Sequence, residues 1–143
     1  MSDEIGMKVK VELEKDMIFR WDMGINTEKT FYIDEEHNAS ELWGPDPSRL
    51  LASAVLGCMS ASFLFCLKKR NLTLDDLKGE AEIVIAINEK KLSRVKEINV
   101  KLTPITSDPK VNKRIEQCKK FFEQYCTVTE SVRAGIKVNA EIE

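Results

Sequence analysis

One stretch limits what this chain can become. GPDPSRLLASAVLGCMSASFLFCLKKR, residues 44–70, is apolar or small at almost every position from Leu50 to Leu67. Asp46 can accept from the free amides of a first helical turn, and Pro47 suits the first helical position. The spacing predicts one long helix, closed by Lys68, Lys69 and Arg70. A helix that is apolar all round must be surrounded by protein or by lipid. The run barely reaches the roughly 18 to 20 residues a membrane span needs, so it reads as the buried central helix of a globular domain, with no membrane.

Cys58 falls mid-helix, twelfth from Pro47. The dipole of its own helix fades within about one turn and cannot activate it. A reactive Cys58 would need a cation or hydrogen-bond donors from elsewhere. Ser62, four residues on, shares its face and could donate to a thiolate, while Ala54 leaves room for a partner to approach. The plainer reading, that these small residues only admit close packing, stands beside the functional one. Arg49 is a poor candidate for the cation, being about 13 Å back along the axis and about half a rotation away.

The other cysteines divide by context. Cys66 and Cys118 lie on apolar helical stripes and read as small core residues. Cys126 precedes TVTE, a capping-box pattern with Thr127 as cap and Glu130 at the third helical position. That places Cys126 just outside a helix N-terminus, where positive potential can assist a thiolate, unless it is merely a residue of the connection. Cys58 and Cys66 are eight apart, as are Cys118 and Cys126; there is no CxxC, and the single histidine, His37, stands in a polar stretch. This spacing argues against zinc, and no cofactor is expected. Cys58 and Cys66 share a helix about 12 Å apart and cannot bridge each other, so a bridge from the central helix would have to reach the later pair.

The 143 residues suit one domain, 1–143. Net charge is −2, with no basic tract to suggest nucleic acid. MSDEIGMKVK is acidic and lacks the apolar core of a signal peptide, so the cytoplasm is the expected location. There the cysteines are expected to be free, redox-active or metal-binding rather than structural disulfides.

Along the chain, residues 7–13 alternate as a half-buried strand, 17–21 as its return, and 30–33 as a third strand. An acidic loop, 35–43, leads to the central helix. Asn71 to Lys78 reads as a linker in which Thr73, Asp75 and Asp76 cap one helical turn. Residues 79–88 and 93–103 form a hairpin, with Ile98, Val100 and Leu102 inward and Val95 out of phase, which suggests a bulge. Asp108 and Pro109 repeat the cap-plus-proline start, and Val111, Ile115, Cys118, Phe122 and Tyr125 form one stripe. A short helix ends near Gly135, and 136–142 alternate as a last strand. The fold class is α+β with segregated strand groups. These are too few to bury the central helix in one subunit, so a homodimer is expected.

A mid-helix cysteine in GPDPSRLLASAVLGC, and a second before a short helix in YCTVTESVRAGIKV, resemble the OsmC/Ohr family of osmotically inducible and organic hydroperoxide resistance proteins. The resemblance runs from about Met7 to the end, and the two cysteine contexts are its specific part. It implies an intertwined homodimer in which antiparallel sheets wrap around paired central helices. It also implies thiol-dependent reduction of organic hydroperoxides, with Cys58 peroxidatic, Cys126 resolving, and a dithiol reductant, lipoyl-linked in some members. Ohr-type members carry glutamate directly after the helix-opening proline, where this chain has Ser48. They hold the thiolate with an early arginine; Arg20 is the nearest, loose match, and the next basic residue in line is Arg133, close in sequence to the Cys126 segment. These departures make the segment more similar to OsmC-like branches. A non-enzymatic OsmC-like dimer binding an apolar ligand is the competing function. A Cys–His hydrolase is disfavoured by the lone His37.

Overall fold

The computed structural model describes residues 4, 6–27, 29–36 and 41–143, and within these the chain divides into two compact units, Met1–Leu50 and Leu51–Glu143. His37 and the middle of the acidic loop lie outside the described residues.

The first unit is built on a three-stranded antiparallel meander, β1 (Lys10–Lys15), β2 (Ile18–Asp22) and β3 (Phe31–Asp34), in sequence order. β1 starts three residues later than the alternation from Met7 suggests, and all six of its residues are exposed. The expected half-burial fails because none of the described residues of this unit covers its apolar face. Asp34 is buried and works as a local organiser: its carboxylate accepts from the amides of Glu36 at 2.8 Å and Trp43 at 2.9 Å. The returning chain passes so close to β3 that a Cβ on Gly44 would sit 1.9 Å from the Tyr32 carbonyl oxygen, which leaves room only for glycine.

Both cap-plus-proline signals hold. Asp46 accepts from the Arg49 amide at 2.9 Å where α1 (Pro47–Lys68) begins. Asp108 accepts from the Lys110 amide at 2.9 Å where α2 (Pro109–Cys118) begins. These are side-chain acceptors for first-turn amides that have no helical partner.

In the second unit α1 lies against a long hairpin of β4 (Asp76–Ile87) and β5 (Ser93–Ile105). The expected capped turn at Thr73 does not form, because β4 already starts at Asp76. The register slips where Val84 faces Glu97 but Ile85 faces Val95, so the bulge inferred from Val95 is present and Lys96 is the extra residue. Ile98, Val100 and Leu102 face inward as the alternation requires, and pack on a core of Val55, Met59, Phe63, Leu67, Val111, Ile115 and Phe122. Gly79 faces α1 across this packing, where an added Cβ would sit 3.0 Å from both Leu56 and Leu102 side chains.

α1 passes a length-and-composition test for a membrane span, yet one face is built into this protein core. It is not buried all round, however: Leu64 and Phe65 remain 43% and 63% exposed. One hairpin and two short helices have area enough for one face of a helix this apolar. α2 ends at Cys118, and a 3-10 turn (Phe122–Tyr125) follows. The inferred stripe is buried from Val111 to Phe122, but the change of helical pitch turns Tyr125 outward, 57% exposed. α3 (Thr127–Ala134) ends at Gly135, whose φ of 78° suits glycine. Residues 136–142 form no strand, and Ile136, Val138 and Ile142 are exposed. The alternation is present, but a strand needs a free edge to pair with, and this segment makes no backbone hydrogen bond with the described residues.

Candidate functional site

Two cysteines meet where the middle of α1 faces the start of α3. Cys58 is half-buried and Cys126 fully buried; both are free thiols. The Cys126 Sγ lies 4.0 Å from the backbone carbonyl oxygen of Cys58 and 3.7 Å from that of Phe122. The Val128 amide donates to the Cys58 Sγ at 3.4 Å.

The last contact supplies what Cys58 lacks on its own helix. Thr127 is the first residue of α3 and Cys126 the N-cap. The Val128 amide is therefore one of the first-turn donors without an intrahelical acceptor. It finds the Cys58 sulfur instead. The positive end of α3 thus acts on Cys58, the thiol that a dipole argument confined to α1 leaves inert.

Three details differ from the sequence reading. The cap is Cys126 rather than Thr127, and no side chain caps α3. The capping-box pattern is displaced by one residue: the Glu130 amide donates to the Cys126 carbonyl at 2.9 Å, which makes Glu130 the fourth helical residue, and its side chain pairs with Arg133 at 2.5 Å. The helix end does not lower the Cys126 thiol either. Burial pushes its pKa up, outweighing the Ser62 hydroxyl, which pulls it down; Cys58 and Glu123 add to the rise and Arg133 opposes it. Ser62, expected to serve Cys58 from four residues away, therefore serves Cys126.

The two candidate cations are engaged by carboxylates. Arg20, on β2 in the first unit, is ion-paired with Glu12 and lies 3.6 Å from Glu14; these pairs raise its pKa. Arg133 spans Glu123 at 2.6 Å and Glu130 at 2.5 Å. Ser48 stands at the second position of α1.

Cys66 and Cys118 are not free core thiols. They form a disulfide with Cα atoms 5.9 Å apart. The expectation that Cys66 and Cys118 are unbridged core residues does not survive this bridge. Treating each helix separately hid it. Read together, the equal spacings place Cys66–Cys118 and Cys58–Cys126 as two nested crossings between antiparallel segments. Next to the bridge Arg114 is buried, donating through Nε and Nη2 to the Cys66 carbonyl at 3.3 and 3.1 Å. It thereby satisfies a carbonyl of the last turn of α1, where a cation also suits the helix dipole. No sequence signal singled out Arg114 or Val128.

A groove of about 800 Å³ lies on another face of α1, walled by Val55, Met59, Phe63, Val100, Leu102 and Val132, with Lys96 and Arg133 among its polar residues. Neither Cys58 nor Cys126 lines it.

The comparisons with known proteins agree with this architecture. Residues 37–141 match the family model described as OsmC-like protein. No curated protein sequence matches the chain. Among solved structures, an OsmC-like protein from Mycoplasma pneumoniae is similar over 99% of this chain and 98% of its own, at 15% identity and a TM-score of 0.74. An organic hydroperoxide resistance protein from Elizabethkingia anophelis is similar over 96% and 95%, at 14% identity and a TM-score of 0.64. The organic hydroperoxide resistance protein OhrB of Bacillus subtilis is similar over 97% and 98%, at 18% identity and a TM-score of 0.58. At these identities the likeness is one of fold.

Proposed function

Since this chain belongs to the OsmC-like family, we propose that it reduces organic hydroperoxides with Cys58 as the attacking thiolate and Cys126 as the resolving thiol. The observation that carries the proposal is the Val128 amide donating to the Cys58 sulfur while the Cys126 sulfur stands against the Cys58 backbone.

The chemistry follows from that pairing. The Cys58 thiolate attacks the outer peroxide oxygen, the O–O bond breaks, and the alkoxide leaves and takes a proton to become an alcohol. Cys58 is left as a sulfenic acid. Cys126 then attacks the Cys58 sulfur, an S–S bond forms, and the hydroxyl leaves as water. An external dithiol, lipoyl-type or similar, returns both thiols by exchange and closes to its own disulfide. The raised pKa of Cys126 suits this order, because a thiol that stays protonated does not compete for the peroxide. Arg20 enters the proposal as the cation suggested by the family resemblance. Its test is Arg20→Met, expected to slow alkylation of Cys58 near neutral pH. One OsmC-like domain per chain, a homodimer and a cytoplasmic location belong to the same proposal.

The test is treatment with about one equivalent of alkyl hydroperoxide, then peptide mapping without reduction. The expected product is a new Cys58–Cys126 link beside Cys66–Cys118. In Cys126→Ser, Cys58 should accumulate as sulfenic or over-oxidised acid. If Cys58 stays a free thiol, the enzymatic reading fails. A second reading, a non-enzymatic dimer that binds an apolar ligand, is favoured by the apolar groove that excludes both cysteines.

A further inference from the structure

The two cysteine crossings form a closed frame. One side is α1 from Cys58 to Cys66, two turns of regular helix. The other runs from Cys118 to Cys126 with hardly a break in its backbone bonding. Phe121 bonds to Cys118 at 3.1 Å, Gln124 to Phe121 at 3.3 Å, and Cys126 to Glu123 at 3.0 Å. Between the crossings, the Phe63 and Phe122 rings meet edge to face at 5.3 Å. One crossing is covalent, Cys66–Cys118, and Arg114 on the same α2 ties the adjoining carbonyl of α1. The other crossing is non-covalent, the Val128 amide on the Cys58 sulfur. Both sides are stiff, so the separation at one crossing constrains the separation at the other.

We propose that the Cys66–Cys118 disulfide is a redox-set positioning element that holds the Val128 amide on Cys58, so that opening the bridge makes Cys58 less reactive. Cys66 and Cys118 act only through the frame, and neither touches the Cys58 sulfur. The proposal rests on the reading of Cys58 as the reactive thiol, but its readout does not involve peroxide. Opening is a balanced exchange: an external dithiol breaks the S–S bond, supplies two electrons and two protons to give Cys66 and Cys118 thiols, and closes to its own disulfide. The environment that reduces the bridge would therefore also turn down the thiol beside it.

The test compares Cys126→Ser with the triple variant Cys66→Ala, Cys118→Ala, Cys126→Ser. In each, Cys58 is the sole free thiol, and its alkylation by iodoacetamide is followed at pH 7. We expect the triple variant to react at least about fivefold more slowly, the worth of one modest hydrogen bond. The sign discriminates, because a bridge that merely stabilised the fold would, when lost, expose Cys58 and speed its alkylation. Should the triple variant not fold by circular dichroism, Cys126→Ser is opened with dithiothreitol, and Cys58 is followed by peptide mapping against the fraction of bridge remaining. An alkylation rate that is unchanged or faster overturns the proposal, as does finding Cys66 and Cys118 free in the oxidised protein. Peroxide consumption is measured separately on the wild type. Its absence, with slowed alkylation in the opened protein, removes the peroxidase reading and leaves the positioning role standing.

Discussion

Replacing the backbone N–H of residue 128 with an ester oxygen isolates the contact on which the proposed site depends. The substitution, an α-hydroxy acid with the valine side chain, deletes one donor and keeps every side-chain atom. Its cost to the fold is small because that amide is a first-turn donor with no helical acceptor. Its cost to a Cys58 thiolate is larger. A hydrogen bond to a charged group is worth about 1.5–3 kcal/mol. The 3.4 Å contact to a diffuse sulfur puts this one at the lower end, and ~1.4 kcal/mol is a factor of ten. Alkylation of Cys58 at pH 7, in a Cys126→Ser background, should therefore slow about tenfold. Val128→Ala keeps the amide and should stay within about twofold of its parent, since its side chain has no polar role. If the ester protein alkylates as fast as its parent, the α3 terminus does not activate Cys58, and the search for its activating group moves to a cation.

Other outcomes follow from burial and from the bridge. Leu67, fully buried in the core beside Cys66, should lose about 2–5 kcal/mol on Leu67→Ala, read by urea unfolding. Opening Cys66–Cys118 frees a 52-residue separation and should cost about 4 kcal/mol by loop entropy, seen as a lower urea midpoint in dithiol. The raised pKa of Cys126 means that the native state holds its proton longer than the unfolded chain does. Its contribution is therefore intact below the ordinary thiol value of 9.0 and is lost as pH climbs above it. Wild type should lose more stability than Cys126→Ala across that range, and equal losses would contradict the burial argument.

What could be read from the sequence was local. Asp46–Pro47 and Asp108–Pro109 fix helix starts within three residues, so each can be recognised without knowing the rest of the fold. Val95 betrayed the bulge because period-two alternation leaves no room for an extra residue. The candidate site was legible in its two cysteines, which the fold brings together, and not in what surrounds them. Val128 contributes a backbone amide, which no residue type announces. The cap moved from Thr127 to Cys126, and with a one-residue change the helix end faces a different thiol. Cys66 and Cys118 looked like core residues because both are buried on apolar stripes, as a bridged pair also is. Arg114 was invisible because its partner is a carbonyl of another helix.

The tail after Gly135 has a consequence for how the protein can change over time. Residues 136–142 alternate apolar with polar, yet their main chain bonds to none of the described residues, and Ile136, Val138 and Ile142 stand exposed. A segment of this kind can be captured only through its peptide groups and through the face its odd or even positions share. Its selectable information is then a rhythm rather than a set of identities. Ile136, Val138 and Ile142 can drift among apolar types with little effect, whereas inserting or deleting a single residue after Gly135 would turn every later side chain to the opposite face.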